Sequence, residues 1–283
     1  MIKEFSIGLR QNEEWRFAVA LSMSLEGMGA SLFLVASILG SFPAAVAGLI
    51  LVGAGAFVLF VDLGHPLRFW RVISRAPSAW ISQGALFITG LLVFGVLGLV
   101  FRQAPYWQAI FEVASWLCAS AVMLYPGLLL GGMSAVPWWN RANLPVVLFV
   151  HALTSGIQLL LLIAVWSGDG NWVAPKGLSV ALTLLILVLF LTWSQVRAST
   201  GPPAVRESLR ILTKGDQQGL FYVGAVLAGM VIPIPLIVAS FFIYGRNGIA
   251  ALVLIAASSL VRLAGDVCYR YAVLKSGVRA SVL

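Results

Sequence analysis

Eight long, continuous apolar runs leave this chain few ways to fold. They lie at about 16–39, 44–63, 80–101, 110–133, 144–166, 177–196, 219–244 and 248–271. A helix needs roughly 20 apolar residues to cross the hydrocarbon core of a bilayer. Only helices and closed barrels satisfy every backbone polar group without water. Barrel strands alternate apolar and polar positions, and these runs do not. The pattern therefore predicts an all-α integral membrane protein with eight transmembrane helices. Composition agrees: 60% of the 283 residues are hydrophobic and only 10% are charged. Soluble domains carry about a quarter charged residues, and one core of this size could not enclose so much apolar surface.

The segment Met1–Glu14 is polar and mixed in charge, and the first apolar run is too long for the core of a signal peptide, so no cleavable leader is expected. Most connections are short and rich in turn residues, such as Ser41-Phe42-Pro43 and Gly168-Asp169-Gly170. Short connections join antiparallel neighbours. The expectation is a single transmembrane domain over 1–283, divided into two four-helix bundles. Two connections are longer, 64–79 and 197–218. In the second, Val205, Leu209 and Leu212 recur at helical spacing with Arg206, Glu207 and Arg210 between them. That predicts a short amphipathic helix on the membrane surface or against a partner.

With an even number of spans both termini fall on one side. That side holds 14 of the 18 Lys and Arg, the opposite side only Arg102, Lys176 and Arg246, and Arg262 falls inside span eight. Basic loops stay cytoplasmic. The reading is a multi-pass protein of the bacterial cytoplasmic membrane with both termini inside. The net charge of +8 is thereby explained by orientation, and no nucleic-acid partner is expected.

Ionisable residues within spans are costly and functional by default. Glu26 lies near mid-depth in span one, and Asp62 ends span two. Tyr125 sits in span four, His151 in span five, and Arg262 and Asp266 one helical turn apart in span eight. All belong to the basic-side half or the midplane. Such a set suits a quinone head group, whose carbonyls need donors and whose quinol form needs a base. Structural alternatives stand beside this. Arg262 and Asp266 can neutralise one another, or Arg262 can pair with Glu26. His151 can be a packed histidine, Tyr125 can fill a kink beside Pro126, and Trp70, Trp80, Trp138 and Trp139 are most simply an interfacial aromatic belt. With only His65 and His151 in the chain, a bis-histidine haem is not expected. Cys118 and Cys268, both within apolar runs, read as packed thiols, and no metal is expected on this chain.

The segment Asp62-Leu63-Gly64-His65-Pro66-Leu67-Arg68-Phe69-Trp70 resembles the D-L-G-R-P-x-R-F motif of the NrfD/polysulfide reductase membrane subunits. Ser78-Ala79-Trp80-Ile81-Ser82 resembles a segment of the related dimethyl sulfoxide reductase membrane anchors. Tyr125-Pro126-Gly127, Trp138-Trp139-Asn140 with Leu144-Pro145, and Arg270-Tyr271 with Gly277 follow in family order. His65, Glu26 and Pro126 stand where the family usually has Arg, Gly and Thr. The resemblance implies a quinone-reactive membrane anchor, with menaquinone or ubiquinone as substrate. It implies a ferredoxin-like iron–sulfur subunit and a molybdenum- or tungsten-pterin catalytic subunit as partners, which alone carry those cofactors. Asp62 and Tyr125 match family positions near the quinone, and His65 or His151 is a further candidate donor. Glu26, with Arg262 and Asp266, is expected to line a proton route or its structural wall. The basic residues Arg68, Arg71, Arg75, Arg206 and Arg210 are expected to dock the iron–sulfur partner. Basic loops on the Asp62 side make this resemble the complexes whose catalytic subunits are cytoplasmic. The alternative class is a proton-coupled secondary transporter, which also buries charge at mid-depth. Its usual broken helices in both halves have a match only in Ile232-Pro233-Ile234-Pro235.

Overall fold

A computed structural model describes residues 9–13, 15–62, 80–166, 175–197, 201–243 and 248–280. Among the described residues the chain is all-α apart from two two-residue strands. Helices α1 (Phe17–Ile38), α2 (Phe42–Asp62), α3 (Trp80–Val100) and α4 (Pro105–Gly131) form the first half. The second half begins with α5 (Leu144–Trp166) and α6 (Pro175–Arg197), followed by the short α7 (Pro203–Lys214). A π-helical segment (Leu220–Val231) and α8 (Pro233–Ile243) together make the seventh span, and α9 (Gly248–Lys275) the eighth. The eight expected spans are all present.

The eighth span runs on to Lys275, about one turn past the expected 271, and two further features differ from the sequence reading. The fourth span starts at Pro105, not near 110, because proline is favoured at the first helical position, where its missing N–H costs nothing. The seventh span is two pieces. Ile232 N donates to Leu227 O at 2.8 Å, five residues back, and Pro233, which has no N–H, then opens α8.

The helices α1 and α5 are the inner ones: 67% of the central stretch of each is buried, against 28% for α3 and α6. Small residues explain how the helices come so close without water to drive them together. A Cβ on Gly29 of α1 would sit 2.7 Å from the Gly48 carbonyl of α2. A Cβ on Gly229 would sit 2.7 Å from Gly265 Cα, so the π segment and α9 touch backbone to backbone. One apolar cluster joins α1 to α4 through Leu32, Phe33, Val52, Leu91 and Met123. Two others fill the second half, with α5 contributing to all three.

The ends of the chain meet. Strand β1 (Arg10–Gln11) pairs antiparallel with β2 (Val278–Arg279), and Asn12 N donates to Gly277 O at 2.8 Å. The bundle's first and last spans are thereby tied together on one side. Two expectations about this side are corrected. Trp138 and Trp139 are not an interfacial belt: each is 1% exposed, because the α4–α5 connection folds inward and Trp139 Nε1 donates to Val273 O at 3.0 Å. The amphipathic α7 does form, but its apolar face is covered by this chain. Ala204 and Ile211 pack on Val278, and the Ser208 hydroxyl accepts from Val278 N at 3.1 Å. Cys118 and Cys268 are free thiols, as expected.

A candidate quinone site at a buried Glu–Tyr–Arg–Asp cluster

Glycines on two neighbouring helices make room for the first acid. Gly55 of α2 faces Glu26 of α1, where a Cβ would lie 2.7 Å from the Glu26 Cγ. Gly84 of α3 faces the Tyr125 ring of α4 in the same way, at 2.5 Å. Glu26 is fully buried and Tyr125 nearly so, and the Tyr125 hydroxyl donates to Glu26 Oε2 at 2.8 Å. The other oxygen, Oε1, has no hydrogen-bond partner among the described residues. Four helices thus enclose one carboxyl group that is half satisfied.

A second cluster lies on α9, where Arg262, Asp266 and Arg270 stand at successive turns on one face. Asp266 Oδ2 accepts from Arg270 Nε at 2.9 Å. Its Oδ1 faces His151 Nδ1 at 3.2 Å and Arg262 Nη2 at 3.7 Å. Arg262 is anchored on carbonyls, donating from Nη1 to Gly229 O and from Nη2 to His151 O, each at 3.1 Å. The same Nη2 lies 3.1 Å from His151 Nδ1. A neutral imidazole nitrogen either donates or accepts, so Nδ1 serves Asp266 or Arg262 and not both at once. On its far side, His151 Nε2 meets Thr192 Oγ1 at 3.3 Å. The ring stacks on Tyr269, with centroids 4.0 Å apart, and the Tyr269 hydroxyl donates to Gln195 Oε1 at 2.6 Å.

Arg270 joins the two clusters. It is 2% exposed, it holds Asp266 through Nε, and its Nη2 lies 3.1 Å from where a Cβ on Gly27, the residue after Glu26, would sit. Sequence reasoning counted it among the loop charges that set orientation, whereas it lies inside the bundle. Its spacing of four from Asp266 carries the signal that could have placed it there. Tyr269, Thr192 and Gln195 were also missed, being uncharged polar positions in apolar helices.

The other predicted residues fall as follows. Asp62 is exposed at the end of α2. Glu26 pairs with Tyr125 and not with Arg262. Arg206 is exposed, and Arg210 is exposed and bonded to Glu207. His65, Arg68, Arg71 and Arg75 lie outside the described residues.

The family described as "Polysulphide reductase, NrfD" matches residues 6–280. The chain belongs to the NrfD family. Among its relatives is the C chain of polysulfide reductase from Wolinella succinogenes, 26% identical over 93% of this chain and 94% of that one. The C subunit of selenate reductase from Mesobacillus selenatarsenatis is 25% identical over 65% of this chain and 54% of its own length. The C subunit of tetrathionate reductase from Salmonella typhimurium is 29% identical over 38% and 34%. This NrfD-family chain is therefore similar to the C subunits of polysulfide, selenate and tetrathionate reductases.

Proposed function

We propose that this protein is the quinone-reactive membrane anchor of a multisubunit reductase-type complex, passing electrons between the quinone pool and an iron–sulfur subunit. Relatives named as C subunits of reductases support the assignment to a complex. The observation that carries the quinone reading is the Glu26–Tyr125 pair. It is a buried carboxyl with one unpartnered oxygen, hydrogen-bonded to a phenol, beside a guanidinium. These residue types fit the head group. A quinone oxygen accepts from a phenol or guanidinium, and a quinol hydroxyl donates to a carboxylate.

Each residue has a task under this reading. Glu26 takes up or releases the substrate proton at its free oxygen. Tyr125 holds the other oxygen and orients the carboxyl. Asp62, at the basic-side end of α2, and His65 in the next connection are the further quinone-contacting candidates that the family resemblance implies. Asp266, surrounded by Arg270, His151 and Arg262, is a fixed counter-charge forming the wall of the route. Electrons enter from the partner's iron–sulfur clusters, and a molybdenum- or tungsten-pterin subunit handles the substrate of the complex. The partner docks on the basic face, through Arg206 and Arg210 on α7 and through Arg68, Arg71 and Arg75 of the 64–79 connection. That face is cytoplasmic in the bacterial inner membrane.

Mild-detergent purification from native membranes, with mass spectrometry and metal analysis, tests the anchor reading. The expected eluate contains an iron–sulfur protein and molybdenum or tungsten. A metal-free single chain, from membranes expressing its neighbours, would overturn it and favour transport.

A further inference from the structure

We propose that Arg270 grips one carbonyl oxygen of the quinone head group, and that Asp266 is the clamp holding its guanidinium in place. The proposal rests on the quinone-site reading above and adds a binding residue to it.

A guanidinium has five N–H donors in one rigid plane. Arg270 uses Nε on Asp266 at 2.9 Å, while Nη1 and Nη2, both buried, have no partner among the described residues. Buried donors are nearly always satisfied, so an acceptor belongs there. The guanidinium reaches toward the turn of α1 that carries Glu26: Nη2 lies 3.1 Å from where a Cβ on Gly27 would sit. Glu26 Oε1, on the adjacent residue, is the facing acid's unpartnered atom. Two orphan amino groups and one orphan carboxyl oxygen on adjoining turns are complementary to a ligand oxygen that accepts, and whose protonated form also donates.

Charge points the same way. The α9 cluster holds two guanidiniums, Arg262 and Arg270, against the single carboxylate of Asp266. The unpartnered amino groups of Arg270 lie on the side next to Gly27 and Glu26. A carbonyl oxygen gains negative charge as electrons arrive, and a preorganised buried guanidinium stabilises that charge most effectively. Arg270 in this role only donates hydrogen bonds; the proton moves through Glu26. Gly27 matters because a Cβ there would lie 3.1 Å from both Arg270 Nη2 and the Ala152 Cβ of α5, so the guanidinium would have to give way by a few tenths of an ångström.

The test is fluorescence titration of the purified intact complex with a hydroxyquinoline N-oxide, whose N–O group is a carbonyl-like acceptor. Arg270→Lys, which keeps charge but loses the planar fork, is expected to weaken binding at least tenfold. Gly27→Ala, which leaves the Asp266–Arg270 pair in place, is expected to weaken it several-fold. Wild-type affinity in Arg270→Lys, with weakened binding in Glu26→Gln or Tyr125→Phe, would overturn the role of Arg270 and leave the quinone site standing. Unchanged affinity in all four variants would overturn the site and the proposal together. If Arg270→Lys does not assemble, Gly27→Ala decides: undiminished binding refutes the proposal.

Discussion

Asp266 has no contact with water, and three cationic or polar side chains surround its two oxygens. Removing one partner of a buried ion cluster leaves the others uncompensated, at about 3–5 kcal/mol. Asp266→Asn therefore strands both Arg262 and Arg270, and the purified variant should melt at markedly lower temperature than wild type, or fail to accumulate. A melting temperature within a degree of wild type would contradict the clamp. Glu26→Gln is different in kind. Glutamine preserves shape and can still accept from Tyr125, so the fold should survive while the proton function is lost. Much of this chemistry was readable from residue types. Acids inside apolar runs identify themselves, and Glu26, Tyr125, His151, Arg262 and Asp266 all proved buried and hydrogen-bonded. Their pairing was not readable, because it depends on which helices neighbour one another. Arg270 was hidden for a related reason: five residues from the end of α9, a charge reads equally well as an interfacial anchor.

The helices themselves were legible because lipid imposes one length and one periodicity on every span. The loops were less so. An apolar Trp pair beside a charged loop has the composition of an interfacial belt, and only the inward fold of the connection makes Trp138 and Trp139 core residues. Helix approach provides a sharper test. Gly265 meets the backbone of the π segment at Gly229, whose carbonyl also anchors Arg262. Gly265→Leu should force these elements apart and release Arg262. The variant should lose stability by an amount typical of overpacking, about 1–3 kcal/mol or more, measured as thermal unfolding in detergent. On α7, the Glu207 carboxyl is held below the usual carboxylate range, chiefly by its hydrogen bond from Arg210. A depressed folded pKa contributes stability above the unfolded value and loses it as pH falls through the folded one. The pair is exposed, and exposed pairs contribute little. Glu207→Gln should therefore leave the melting temperature unchanged at pH 7, with any difference vanishing in acid. Ile211→Asp, which puts charge into the face that covers Val278, should instead expose α7 to protease.

At the scale of the molecule, the strand pair β1–β2 ties the two ends together, so one topology marker speaks for both. A reporter that is active only in the cytoplasm, fused to the C-terminus, should be active; an outward-facing tag would reverse the partner-docking face. Among the described residues the buried ionisable groups are one-sided: Tyr125, His151, Asp266 and Arg270 lie toward the ends of their helices nearest those termini, and Glu26 lies near mid-depth. The opposite half of the same interface is closed by Leu161, Leu178, Leu185, Ile237 and Ile255. Under the proposed function, the partner that exchanges electrons with this subunit docks on that same face. The most direct test compares two activities of one purified complex. Electron transfer from quinol in wild type and Glu26→Gln would be measured beside transfer from a soluble dye that reaches the iron–sulfur subunit directly. The account predicts a fall of about a hundredfold with quinol, the scale of general acid–base catalysis, and unchanged rates with dye. Equal quinol rates in the two proteins would contradict it.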